Sequence, residues 1–438
     1  MVSLSSVATT NNKNARLTVL CGVGMVVVGG QGAMPSKMVS ETMKRQRQHK
    51  NGGNEEKNKD IISDLPECIL LHILSFLDTK YAVQTCTLSK RWKDLWKHVP
   101  TLTLISSSFA LSWCRKNLKG FSKFVSWILS KRDASTALHT LDFDRTGLVE
   151  PHLLKRIVKY AVSHHVQRLR IVIKCDIQHL PSCFFSCRTL TSLDLYVAHR
   201  IDGQRTLFPN SLNLPALTNL SIHAFAFCIN NNGRVEPFST FNRLNSLIID
   251  NCKVLDAKNL SISSSTLANL TIQSKYELYR EIELSTPSLC TFVYTGISFP
   301  KLSGNHLRPV KHLNIDADTD LKNAEPSVLL SWLIELTNIR SLIVSSTILQ
   351  VLSLVPDLLK LKFPSLCNLK SLKVEMKPLS YYSSKALIDA KLAQLPTISR
   401  EEVSKIIEEF KFRSSSIPDG IVAFLLQNSP SAEVHIID

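Results

Sequence analysis

Two cysteines four residues apart, Cys183 and Cys187, lie near His164, His165 and His179, and thiolates with imidazoles at short spacing are what a tetrahedral zinc site uses. A structural zinc site needs a second close pair, and none follows. The CFFSC segment instead sits beside an apolar run and is expected to be core. Gly22-x-Gly24 begins like a dinucleotide-binding loop but lacks the third glycine at the required spacing. No G-x-S-x-G, H-E-x-x-H or phosphate-loop pattern occurs, and no histidine can be assigned as a base. The sequence therefore offers no catalytic residue, no metal ligand and no cofactor.

Charge is the next chemical signal. The 438 residues carry a formal net charge of +16, with the densest basic run at Lys44-Arg45-Gln46-Arg47-Gln48-His49-Lys50. That run reads as a nuclear-targeting signal or a solvated tail. Elsewhere Lys and Arg are dispersed, which disfavours nucleic acid, because phosphate neutralisation requires clustering. With 44% hydrophobic residues and a mean hydropathy of +0.04, the chain is expected to build a core and to have no membrane partner. Eleven scattered cysteines, an odd number, suit a reduced compartment, the cytoplasm or the nucleus. The triplets at Asn219, Asn259 and Asn269 match the glycosylation pattern; the first and last fall inside expected strands, so all three are read as chance.

The elements that would position side chains begin at Asp60. After Leu65-Pro66, the apolar residues Ile69, Leu70, Ile73, Leu74 and Leu77 recur at helical spacing. Asp78-Thr79 offers a cap for a second short helix bearing Ala82, Val83 and Cys86. A third helix is expected from Ser89, with Leu88 as a staple and Trp92, Leu95 and Trp96 on one face. Phe121, Phe124, Val125, Ile128 and Leu129 mark a further amphipathic helix, and another runs from Pro151 through Ala161.

From Ala137 onwards an L-x-x-L-x-L core recurs, as in TLTSLDL, ALTNLSI and TLANLTI. Its fourth positions are Leu141, Leu169, Leu193, Leu220, Leu247, Leu270, Phe292, Leu313, Leu342 and Leu372, which are 21 to 30 residues apart. Such periods belong to leucine-rich repeats, whose strands stack so that aliphatic ladders share one core. Strand alternation turns the intervening residues outward onto a concave surface. Asp142, Arg170, Asp194, Asn314 and Lys373 are the substrate-binding candidates on that surface.

The stretch 60–104 resembles the F-box, through Leu65-Pro66, the doubled aliphatic stripe and the run LSKRWKDLW from Leu88 to Trp96. The resemblance implies a Skp-type adaptor, and through it a cullin, as partners. It assigns adaptor binding to Leu65, Pro66, Ile69, Leu70, Ile73, Leu74 and Leu77. With the repeats it resembles plant F-box/leucine-rich-repeat proteins, and the motif F-L-L-x-x-S-P from Phe424 to Pro430 resembles the FBD-type ending of that group.

Four regions follow. Residues 1–59 are a basic arm expected to be disordered. Its apolar run TVLCGVGMVVVGG has the length of a secretory core but is read as disordered or as an upstream extension, with Met34, Met38 or Met43 as the start. Residues 60–104 are a three-helix F-box and 105–376 an irregular leucine-rich-repeat solenoid, giving an α/β fold. Residues 377–438 break the repeat, show a capping-box spacing at Ser399-Arg-Glu-Glu402, and are expected to cap the last repeat. The implied function is a non-catalytic substrate receptor of an SCF-type ubiquitin ligase, acting on an unknown protein in the nucleus or cytoplasm. The other reading is a repeat scaffold without ligase function.

Overall fold

The structure, a computed structural model, describes residues 16–21, 24–29 and 65–437, the last apart from breaks at 110–115, 176–179, 199–203, 210–211, 231–232, 256, 276–278, 305–306, 318–324, 362–365, 396–398 and 412–415. The chain divides into Met1–Asp64 and Leu65–Asp438. In the first unit Arg16–Cys21 pairs antiparallel with Gly24–Gly29. These two valine- and leucine-rich segments form strands within the arm expected to be disordered, consistent with the strand preference of β-branched residues. The basic run 44–50, the candidate starts and the linker 51–59 lie outside the described residues.

The second unit is built on one parallel sheet of twelve strands. In chain order these are β1 (Thr101–Ile105), β2 (Thr140–Leu148), β3 (Arg168–Lys174), β4 (Ser192–Ala198), β5 (Asn219–His223) and β6 (Ser246–Asp250). The series continues with β7 (Asn269–Ser274), β8 (Thr291–Gly296), β9 (His312–Ala317), β10 (Ser341–Ser345), β11 (Ser371–Glu375) and β12 (Glu433–Ile437). Each strand pairs with its sequence neighbour, so chain order and spatial order coincide.

Register explains why. Leu102, Leu141, Leu169, Leu193, Leu220 and Leu247 align with Leu270, Phe292, Leu313, Leu342, Leu372 and Val434 across all twelve strands. All but Val434 are buried. A second row two residues on, including Phe143, Ile171, Ile222, Ile249, Ile272 and Tyr294, is buried as well. A strand shifted by one residue would turn both of its apolar positions to water, so the paired rows fix the register. The result is a mixed α/β fold whose parallel sheet is consistent with leucine-rich-type repeats.

The returns between strands vary. Helices α3 (Lys116–Lys131) and α4 (Pro151–Ser163) serve the first repeats, and α5 (Pro326–Glu335) and α6 (Ser346–Ser353) serve the later ones. Between them the returns carry short outer strands, Phe225–Phe227 and Glu281–Ser285 among them, which pair in two three-stranded sheets. Packing of these returns covers one face of the main sheet and leaves the other open.

Ahead of β1 come α1 (Glu67–Ser75) and α2 (Thr79–Gln84), the latter capped by Asp78, whose carboxylate accepts from the Lys80 N–H at 2.9 Å. A third α-helix does not form. A 3-10 turn at Thr85–Thr87 ends the second helix, and the place of the third is taken by 3-10 turns at Lys90–Trp92 and Leu95–His98. Trp92, Leu95 and Trp96 are all buried across the last two of these turns, and Ser89 makes no side-chain cap. Leu88 is exposed and is not a staple. The segment covers the sheet's first edge: the Thr103 N–H donates to Thr79 Oγ1 at 2.9 Å and Thr101 Oγ1 to the Ser75 carbonyl at 3.1 Å. Trp96 stacks on Trp127 of α3 with centroids 5.2 Å apart.

At the other end, 377–438 lies against the last repeat strand, β11, and its own final strand pairs along that edge. It contributes α7 (Tyr381–Leu392), α8 (Arg400–Glu409) and α9 (Ile421–Leu426), and then extends the sheet with β12, all of whose residues are exposed. The Ser399/Glu402 capping box is present.

Candidate docking and recognition surfaces

Helix α1 starts where Pro66 fixes its backbone and offers its carbonyl to the amides of Ile69 and Leu70 at 3.0 and 3.2 Å. Its apolar residues fall on two sides. Leu70 and Leu74 are completely buried, and α1 packs against the turn Leu95–His98. These two residues hold the segment together and cannot form a contact surface, which corrects their assignment to adaptor binding.

On the other side Ile69, Ile73 and Phe76 follow at i, i+4 and i+7, with Ile69 42% and Phe76 64% exposed. Phe76 is braced edge-on by His72 at 4.8 Å, and Pro66 is exposed nearby. Leu65 and Leu77 are partly covered, and the Leu65 carbonyl accepts from Arg91. Leu88 is 55% exposed in the same segment. A short helix that is apolar on both sides has one side for its own core and one for something else. Phe76 and Leu88 are absent from the sequence-derived set. Phe76 was readable, because it extends the Ile69/Ile73 line by one turn.

The second surface is the open sheet face. Arg170 on β3 donates from Nη1 to Asp142 at 2.9 Å, lies 3.8 Å from Asp144, and approaches Asp194 on β4 with Nε at 3.3 Å. His223 on β5 continues the chain, with Nε2 at 3.1 Å from Asp194 and Nδ1 at 2.9 Å from Asp250 on β6. The two flanking carboxylates raise the His223 pKa from 6.5 to about 9, against the opposing effect of burial. It is therefore a cation at neutral pH. Burial raises the Asp142 carboxyl despite the pull of Arg170.

Three of the predicted substrate-binding residues, Asp142, Arg170 and Asp194, are thus joined into one network. Their charges are largely satisfied within the chain. Asn314 on β9 stands five strands from Asp194, roughly 24 Å at ~4.8 Å per strand, and Lys373 is two strands farther. Lys373 belongs to a second network, bonded to Glu375 at 2.9 Å, with Lys377 reaching both Glu375 and Asp316. The hydrogen bond from Lys373 lowers the Glu375 pKa.

Along the same row as Arg170 and Lys373 the intervening residues are uncharged: Ser221, Ile248, Thr271, Val293, Asn314 and Ile343, all partly exposed, with Thr271 on β7 and Val293 on β8 lying between the two networks. At the entry side of β4 to β7 lies an open groove of about 790 Å³ lined by Thr191, Thr218, Asn219, Asn242, Arg243 and Asn245. Its threonines are held by their neighbours, Thr218 Oγ1 donating to the Thr191 carbonyl at 3.0 Å.

The cysteine pair lies on the return after β3. Cys183 and Cys187 bracket Phe184, which is fully buried, and His179 lies outside the described residues. Among the described residues no three His, Cys, Asp or Glu side chains are grouped to hold a metal ion, and no helix is long and apolar enough to cross a membrane.

Residues 62–104 match the F-box domain family. An F-box/LRR-repeat protein of Arabidopsis thaliana is 26% identical over 343 residues, covering 73% of this chain and 86% of that relative. An F-box/FBD/LRR-repeat protein of the same plant is 30% identical over 238 residues, 54% of this chain and 51% of the relative. Another F-box/FBD/LRR-repeat protein is 27% identical over 305 residues, 67% and 62% of the two chains. The chain spans most of the first relative and about half to three-fifths of the other two.

Proposed function

We propose that this chain, which carries an F-box and is similar to plant F-box/leucine-rich-repeat proteins, is the substrate-recognition subunit of an SCF-type cullin-RING ubiquitin ligase. The observation that carries the reading is the line of Ile69, half-buried Ile73 and the C-cap Phe76 inside the F-box match, with Ile69 and Phe76 exposed, on a helix whose adjacent apolar side is already buried. That line docks a Skp-type adaptor, and the adaptor brings the cullin. Burial of Ile69 and Phe76 contributes about 1.5–3 kcal/mol each before ordering costs.

The repeats form a solenoid whose open face selects a protein substrate. Because the ionic networks at β2–β6 and β9–β11 are internally paired, the uncharged row from Ser221 to Ile343 is the part that contacts substrate. The chain supplies no catalytic group. It raises the effective concentration of substrate near the conjugating enzyme. On this reading it works in the nucleus or cytoplasm, and its last segment is an FBD-type ending.

The test is affinity purification of the full chain from plant cells. The receptor reading requires a stoichiometric Skp-type adaptor together with a cullin. Recovery of repeat-bound proteins without either would favour the scaffold reading instead.

A further inference from the structure

The two ends of the sheet differ. At the first edge, β1 is covered by α1 and α2, and its Leu102 and Leu104 are buried. At the last, Val434 and Ile436 of β12 continue the two buried aliphatic rows, aligned with Leu372 and Val374, yet are 39% and 58% exposed. Among the described residues no strand pairs with the free side of β12. An uncovered apolar edge is a template for another strand.

The backbone specifies how such a strand would sit. The Glu433 N–H donates to the Lys370 carbonyl at 2.9 Å, and the Ile437 carbonyl accepts from the Met376 N–H at 2.7 Å. Glu433, His435 and Ile437 therefore direct their backbone groups towards β11. Strand alternation turns the N–H and C=O of Val434 and Ile436 to the free side.

We propose that β12 is a self-association edge, at which a second copy of this chain pairs antiparallel about a two-fold axis at His435. In that register Val434 faces Ile436 of the second copy and Ile436 faces its Val434. These are the residues with free backbone groups, so each pair exchanges two hydrogen bonds. Their side chains join the two aliphatic rows into one continuous core. On the open face Glu433 becomes the diagonal neighbour of His435 of the second copy, a complementary pair made twice by symmetry. A foreign strand would have to supply both features, whereas the sequence EVHII supplies them to itself.

The edge is only five residues long, and each copy carries a formal charge of +16. Association is therefore weak and strengthens as salt screens the repulsion. Sedimentation velocity of the full chain, over a series reaching ~100 µM, should show mass rising towards two chains, more so at higher salt. Ile436→Pro removes an N–H that no strand among the described residues uses, a substitution edge strands tolerate. It should weaken association at least ~10-fold without moving the melting transition. Ile436→Lys tests the side-chain contribution and stands in if the proline variant does not fold. A wild-type chain that stays monomeric throughout overturns the proposal, as does a dimer that both variants leave intact.

Discussion

Replacing His223 with Gln probes the ionic network at its one histidine. The imidazole lies between Asp194 and Asp250 at 3.1 and 2.9 Å. Its pKa of about 9 in the fold, against 6.5, corresponds to a ceiling of ~3.4 kcal/mol at ~1.36 kcal/mol per pH unit. With 25% of the side chain exposed, solvent screening reduces the expected contribution to about 1–2 kcal/mol. The sign follows from a pKa that is raised on folding. Below about pH 6.5 the group is protonated in both states and its contribution is complete; the contribution declines as pH rises through about 9. Urea unfolding of the full chain and of His223→Gln should give a gap of about 1–2 kcal/mol near pH 6 that closes towards pH ~9.5. A gap that stays constant over that range would refute the assignment of His223 as a cation held by the two carboxylates.

Other perturbations separate core from surface. Leu247→Ala, in the middle of the buried row, should cost about 2–5 kcal/mol in denaturant unfolding, whereas Ile436→Ala at the exposed end of its row should cost less than ~1 kcal/mol. Gly304 has φ +142°, and a Cβ there would lie 2.0 Å from the Leu284 carbonyl oxygen. Gly304→Ala should therefore lower the melting temperature by several degrees, and an unchanged transition would contradict the close approach. Ser399→Ala removes the acceptor for the Glu402 N–H at 3.2 Å; a loss of about 1 kcal/mol is expected, read as faster amide exchange in α8.

How much of this was legible depended on periodicity. All ten repeat leucine or phenylalanine positions occupy one register of the sheet, because a two-residue alternation recurring every 21 to 30 residues specifies both strand and stacking. The strand at Thr101–Ile105 was hidden inside the F-box stretch, since TLTLI lacks the longer repeat pattern. The Asp78 cap and the Ser399/Glu402 box were readable from local chemistry. Which side of α1 faces inward was not, because helical spacing groups Ile69, Leu70, Ile73 and Leu74 without saying where the chain's own core lies. The apolar spacing of Trp92, Leu95 and Trp96 marked the buried residues of the third F-box helix correctly, but the chain there forms short 3-10 turns and not an α-helix. Nothing in the sequence marks His223 and Asp250, although they occupy the next outward row, aligned with Tyr196. Their significance arises across strands, and a sequence read along one strand does not show it.

The central claim is that α1 has one side for the fold and one for an adaptor. Its most direct test is the affinity of a purified Skp-type adaptor for the full chain carrying Ile69→Asp and Phe76→Asp, measured by calorimetry beside the wild type. An unchanged melting transition and at least ~100-fold weaker binding are expected. Undiminished binding in this double variant would contradict that claim.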